Sequence, residues 1–83
     1  MWDLWARVRI KEWEARESPS DQLFDTVIRF LIEMTASDPR DRFVAYPGDR
    51  NHCEAKVPGT NVYVEVYVVD DVRQIEILSI SSG

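Results

Sequence analysis

Along residues 4–11, Leu4, Ala6, Val8 and Ile10 alternate with Trp5, Arg7, Arg9 and Lys11. That is the period-2 pattern of a half-buried strand. The apolar phase slips by one at Trp13 and Ala15, which predicts a bulge near Lys11–Glu12 or the end of the strand there. A helix is the rival reading, supported by the i,i+4 pairs Asp3/Arg7 and Glu12/Arg16. The apolar side chains of residues 2–15 scatter round a helical wheel, however, so the strand is preferred. Next, Ser18-Pro19-Ser20-Asp21 reads as an N-cap, a proline at the first helical position and an acid at the third. Leu23, Phe24, Val27, Ile28, Leu31 and Met34 then share one broad face opposite Asp25, Arg29 and Glu33. This predicts an amphipathic helix over about residues 19–36, stopped by Ser37-Asp38-Pro39 because proline disfavours a helical residue before it.

Beyond Pro39 the pattern turns to β. Phe43-Val44-Ala45-Tyr46 is a short apolar run closed by Pro47-Gly48-Asp49, and residues 52–57 form a second strand ended by Pro58-Gly59. Val62, Val64, Val66 and Val68 alternate with Tyr63, Glu65 and Tyr67, the clearest strand pattern in the chain. Asp70-Asp71 supplies a turn, and residues 73–80 return as a last strand, with Ser79, Ser81, Ser82 and Gly83 expected to fray. Short linkers imply an antiparallel meander. The predicted order is β-α-β-β-β-β: an α+β fold, one domain over residues 1–83, with one long amphipathic helix packed on an antiparallel sheet.

Composition narrows the class. Apolar residues make up 45% and charged residues 30% of the 83, the balance of a globular chain rather than a disordered one. No apolar run approaches the roughly 18 residues of a membrane span, and Met1-Trp2-Asp3 lacks the basic-then-apolar order of a signal peptide. The cytoplasm is the expected compartment, with no membrane contact. One cysteine, Cys53, and one histidine, His52, exclude a disulfide framework and a Cys/His zinc site; no metal or cofactor is expected. Net charge is -5, which argues against nucleic acid as partner, because phosphate neutralisation supplies most non-specific affinity. Only residues 40–56 run the other way, with Arg40, Arg42, Arg50 and Lys56 against Asp41, Asp49 and Glu54.

Few residues carry candidate chemistry. His52 and Cys53 are adjacent, and neighbours on a strand point to opposite faces, so a Cys–His nucleophile pair is disfavoured against a buried structural cysteine and a partly exposed histidine. Asp70-Asp71 is better explained as turn chemistry than as a cation site. Tyr63, Glu65 and Tyr67 lie opposite the valine stripe and suit a protein contact, the alternative being cross-strand pairing on a solvated face. Trp5 falls on the polar phase of the first strand, which suggests an interface, and a homodimer through Trp5, Tyr63 and Tyr67 is the simplest one.

The last third, Gly59-Thr60-Asn61-Val62-Tyr63-Val64-Glu65-Val66-Tyr67-Val68-Val69-Asp70-Asp71 followed by Val72-Arg73-Gln74-Ile75-Glu76-Ile77-Leu78-Ser79-Ile80, resembles the C-terminal hairpin of the RelE/ParE toxin superfamily. The order strand, Ser-Pro, helix, Asp-Pro and meander is similar as well, although the second N-terminal helix usual in that family has no candidate. The resemblance implies a toxin-type or degenerate component of a toxin–antitoxin system that acts by protein binding, with an antitoxin as partner. Its ribonucleases place arginine or lysine in the strand after the glycine, where this chain has Tyr63 and Glu65. They place arginine, histidine or tyrosine just after the final strand, where this chain has Ser81, Ser82 and Gly83. A translation-dependent mRNA endoribonuclease would have to rely on Arg40, Arg42, Arg50, His52 and Lys56. The third alternative is a non-toxic structural or regulatory interaction module.

Overall fold

The computed structural model describes residues 1–83. Its elements are β1 (Asp3–Trp5), α1 (Arg7–Glu17), α2 (Asp21–Glu33), β2 (Val44–Tyr46), β3 (Asp49–Lys56), β4 (Val62–Val69) and β5 (Gln74–Ser82). Single 3-10 turns lie at Met34–Ala36, Pro39–Asp41 and Asp70–Val72. The five strands form one sheet in the order β1-β5-β4-β3-β2. β1 runs parallel to β5, and the other neighbours are antiparallel. The fold is α+β as expected, but with two helices on the sheet where the sequence pattern predicts one.

The difference lies in residues 7–17. The strand stops at Trp5, and the chain is helical from Arg7 to Glu17, so the second N-terminal helix does exist. Trp13 explains why the helix wins. It is fully buried, its ring stacks on Phe24 at 6.0 Å and 9°, and its Nε1–H donates to Glu17 Oε1 at 3.2 Å, one helical turn away. Val8, which a long strand would have buried, is 65% exposed. Ser18 ends this helix rather than starting the next. Its φ of 45° is left-handed, and its N–H closes on the Glu14 carbonyl at 2.9 Å, the usual αL termination. The cap of α2 is Ser20, whose Oγ accepts from the Leu23 N–H at 3.1 Å, satisfying one of the unpaired donors of the first turn.

Helix α2 buries Val27, Phe30 and Leu31 against the inner face of the sheet. That face consists of Val62, Val64, Val66 and Val68 from β4, Ile75, Ile77 and Ile80 from β5, and Cys53 from β3. Trp13 joins the same core. Ile77 and Ile80, three residues apart, would point to opposite faces of a regular strand. An irregularity pairs Glu65 with Ser79 but Val66 with Ile77; the extra residue, Leu78, lets both isoleucines face inward. The C-terminal serines are not frayed. Ser82 pairs with Val62 and Ser81 with Tyr63, and Ser82 Oγ donates to Glu17 Oε1 at 2.6 Å. Two further contacts close the end: Arg16 Nη2 donates to the Ile80 carbonyl at 2.5 Å, and the Gly83 N–H donates to the Asn61 carbonyl at 2.8 Å. No helix is long and apolar enough to cross a membrane.

Candidate functional site

With both helices on the inner face, the strand register places the alternate side chains on the outer face in three cross-strand rows. The first runs Trp5, Glu76, Tyr67, His52; the second Ser79, Glu65, Glu54, Val44; the third Ser81, Tyr63, Lys56. The four residues expected to bind a partner, Trp5, Tyr63, Glu65 and Tyr67, therefore share one face. Trp5 is 58% exposed, Tyr63 and Tyr67 are each exposed by more than a third, and Glu65 is half-buried.

A polar cluster sits at the centre of this face. His52 Nε2–H donates to Glu65 Oε2, and Ser79 Oγ donates to Glu65 Oε1 at 3.0 Å. The Tyr46 ring lies parallel on the His52 ring, 4.0 Å between centroids and 8° between planes, and its hydroxyl donates to Glu54 Oε2 at 3.1 Å. Desolvation, the hydrogen bond to Glu54 and the negative charges of Glu65 and Glu54 push the Tyr46 phenol above its usual pKa. Glu54 and Glu65 face each other across β3 and β4, an unfavourable like-charge pair on a sheet to which the stacked Tyr46 and His52 each supply a hydrogen bond, Tyr46 to Glu54 and His52 to Glu65. The sequence pattern singles out neither Tyr46 nor Glu54 nor Ser79. Tyr46 looks there like the end of an apolar run, and nothing local marks which strand residue faces which.

This arrangement is not a nucleophile triad. Ser79 bonds the carboxylate rather than the imidazole, so His52 cannot take its proton. Cys53, as expected, is turned to the other face and fully buried. Burial raises its thiol pKa, which disfavours the reactive thiolate.

Part of the basic segment is already engaged within the fold. Arg40, only 18% exposed in its side chain, uses its donors within the fold. Nη2 reaches Asn51 Oδ1 and Asp70 Oδ2, both at 2.8 Å; Nη1 reaches Asp38 Oδ1 at 3.2 Å; and Nε reaches the Arg50 carbonyl at 3.3 Å. The hydrogen bond to Asp70 is the main reason its pKa is raised. Asp70 thus does more than turn the chain: it anchors the β4–β5 turn to Arg40. His52 is occupied by Glu65. Arg42, Arg50 and Lys56 remain exposed and without salt bridges, and Lys56 stands in the third row beside Tyr63.

No protein-family model matches the chain, and no curated protein matches it in sequence. Its fold is similar to solved structures of the E. coli RelE toxin. The isolated toxin gives a TM-score of 0.75 at 15% identity, over 100% of this chain and 85% of that one. A double arginine-to-alanine mutant of RelE in the free state gives 0.67 at 16% identity, over 99% and 81%. The same mutant in complex with an antitoxin RelBc peptide gives 0.65 at 15% identity, over 100% and 82%. At these identities the likeness establishes the fold.

Proposed function

From a RelE-like fold whose open sheet face is aromatic and acidic, we propose that this protein is a toxin-type or degenerate component of a toxin–antitoxin system that acts in the cytoplasm by binding another protein. The observation that carries this reading is the composition of the central rows, where Glu54 and Glu65 stand opposite each other, flanked by Tyr46, Tyr63 and Tyr67. Tyrosines provide large contact area at low entropic cost and recur at binding hot spots. Paired carboxylates repel a polyanion, and Arg40, one of the cations of the basic segment, is already held by Asp70. The likeness to a RelE captured with an antitoxin peptide supports an antitoxin as the partner.

The test is co-expression with the product of the adjacent reading frame. A stable complex that is lost in Tyr63→Ser/Tyr67→Ser, with slowed growth when this chain is induced alone, supports the toxin role. A complex without any growth effect supports the degenerate form. Absence of a neighbouring partner and of any growth effect favours a stand-alone structural or regulatory interaction module and removes the toxin–antitoxin reading.

One observation favours a second reading, an mRNA endoribonuclease. His52 and Glu65 form an imidazole–carboxylate pair that can hold and pass a proton, and Arg42, Arg50 and Lys56 are exposed. RNA binding would then weaken steeply with salt, by about 0.7 in log–log slope per phosphate contact on a single strand. Cleavage would fall in His52→Gln and in Arg42→Ala/Arg50→Ala. Absence of RNA binding at low salt removes this reading.

A further inference from the structure

At the β1 edge of the sheet an open groove of ≈ 410 Å³ runs between β1 and the start of α1, with Leu4, Trp5 and Val8 among its apolar lining. Trp5 and Val8 are 58% and 65% exposed, an apolar pair that a small monomer leaves in water at a cost. The indole is held in place from within, since its Nε1–H donates to Asp3 Oδ2 at 2.7 Å. Its polar edge is therefore satisfied and its ring surface free for contact. Three charged residues line the same groove: Arg7, Arg9 and Glu76. Arg9 is bound to Glu12 at 2.7 Å. Arg7 and Glu76 have no salt bridge within the chain, and they come from different walls, α1 and β5.

An apolar centre with an unspent cation on one side and an unspent anion on the other is complementary to itself under two-fold rotation, since residue i then meets residue j of the second copy and j meets i. We propose that this groove is the contact surface of an isologous homodimer, with Trp5 and Val8 of two chains packed together and Arg7 of each chain paired with Glu76 of the other. A stable interface takes about 800 Å² per partner, a small share of the 5271 Å² the chain exposes. β1, as the edge strand, leaves this side of the sheet open to a second copy. The inference rests on Trp5, Val8, Arg7 and Glu76 rather than on the tyrosines of the antitoxin reading, of which Tyr67 is the direct cross-strand neighbour of Glu76.

Sedimentation equilibrium tests it. Wild type is expected to reach a mass near twice 9.7 kDa with rising concentration. Arg7→Glu and Glu76→Arg are each expected to weaken association by about tenfold or more, because each puts like charges at both contacts. An equimolar mixture of the two variants is expected to dimerise again, since both contacts then bring a carboxylate of the first chain against a guanidinium of the second. The double variant Arg7→Glu/Glu76→Arg is expected to self-associate as wild type does. Far-UV circular dichroism checks that each variant is folded. The proposal is overturned if wild type stays monomeric at millimolar concentration, if single reversals leave dimerisation unchanged, or if the mixture fails to restore it.

Discussion

Trp13 is the residue on which the observed arrangement of the N-terminal segment depends, and truncating it offers a quantitative check. Trp13→Ala removes a fully buried indole from between α1, α2 and the sheet, together with its stack on Phe24 and its bond to Glu17. Buried tryptophan truncations cost about 3–5 kcal/mol. A chain of this size is stable by about 4–12 kcal/mol, from roughly 0.05–0.15 kcal/mol per residue, so the variant is expected to lose at least about a quarter of its stability. Trp13→Phe keeps a ring against Phe24 while losing the Nε1 bond and part of the volume, and should cost about 1–2 kcal/mol. Trp5→Ala, measured at low protein concentration, should stay within about 0.5 kcal/mol of wild type. Urea unfolding followed by far-UV circular dichroism ranks the three without interference from the remaining tryptophans. If Trp13→Ala costs less than about 1 kcal/mol, or no more than Trp5→Ala, then α1 does not pack through Trp13 as described.

Ser20→Ala should lower stability by about 1 kcal/mol through loss of the α2 cap, whereas Ser18→Gly should be neutral or stabilising because Ser18 already occupies the left-handed region; thermal melts of the two variants separate them. Arg40→Met should cost about 1–3 kcal/mol and leave Asp70 and Asn51 without their donor, seen as faster hydrogen exchange in the β4–β5 turn, and Arg40→Lys should not restore it because one ammonium cannot span these partners. Glu17 is held below its ordinary pKa of 4.5, chiefly by the Ser82 hydroxyl, with help from the Ser82 N–H and Trp13. The unfolded chain therefore binds its proton first, so this stabilisation is present above pH 4.5 and is lost as pH falls through the lower folded value. Glu17→Gln should accordingly show a flatter acid limb in stability against pH.

How far the fold can be read from the chain depends on whether each element declares its own face. Helix α2 and strand β4 do, since Val27, Phe30 and Leu31 recur at helical spacing and the four valines at period two, each set meeting the same core. Helix α1 does not. It buries only Trp13 fully, leaves Val8 in water and shows solvent a mixture of both charges, so its apolar positions form no stripe and the accidental alternation over residues 4–10 reads as strand. Its end is ambiguous for a related reason: Ser18 and Ser20 are equally good caps by type, and only the left-handed turn at Ser18 distinguishes them. At the site, the shared face of Tyr63, Glu65 and Tyr67 follows from alternation alone. The stacking of Tyr46 on His52, the opposition of Glu54 to Glu65 and the sequestration of Arg40 by Asp70, thirty residues away, depend on strand register and on a turn contact that no local pattern encodes.

The outer sheet face is read here as a surface for protein rather than RNA, and amide chemical-shift mapping tests that most directly. The isotope-labelled protein is titrated in parallel with the product of the adjacent reading frame and with a single-stranded RNA at low salt. Shifts concentrated at Tyr46, residues 52–56 and residues 63–67 on addition of the protein, and none on addition of the RNA, are predicted. Shifts at those same positions with RNA that vanish as salt is raised, while the protein leaves them unmoved, would contradict it.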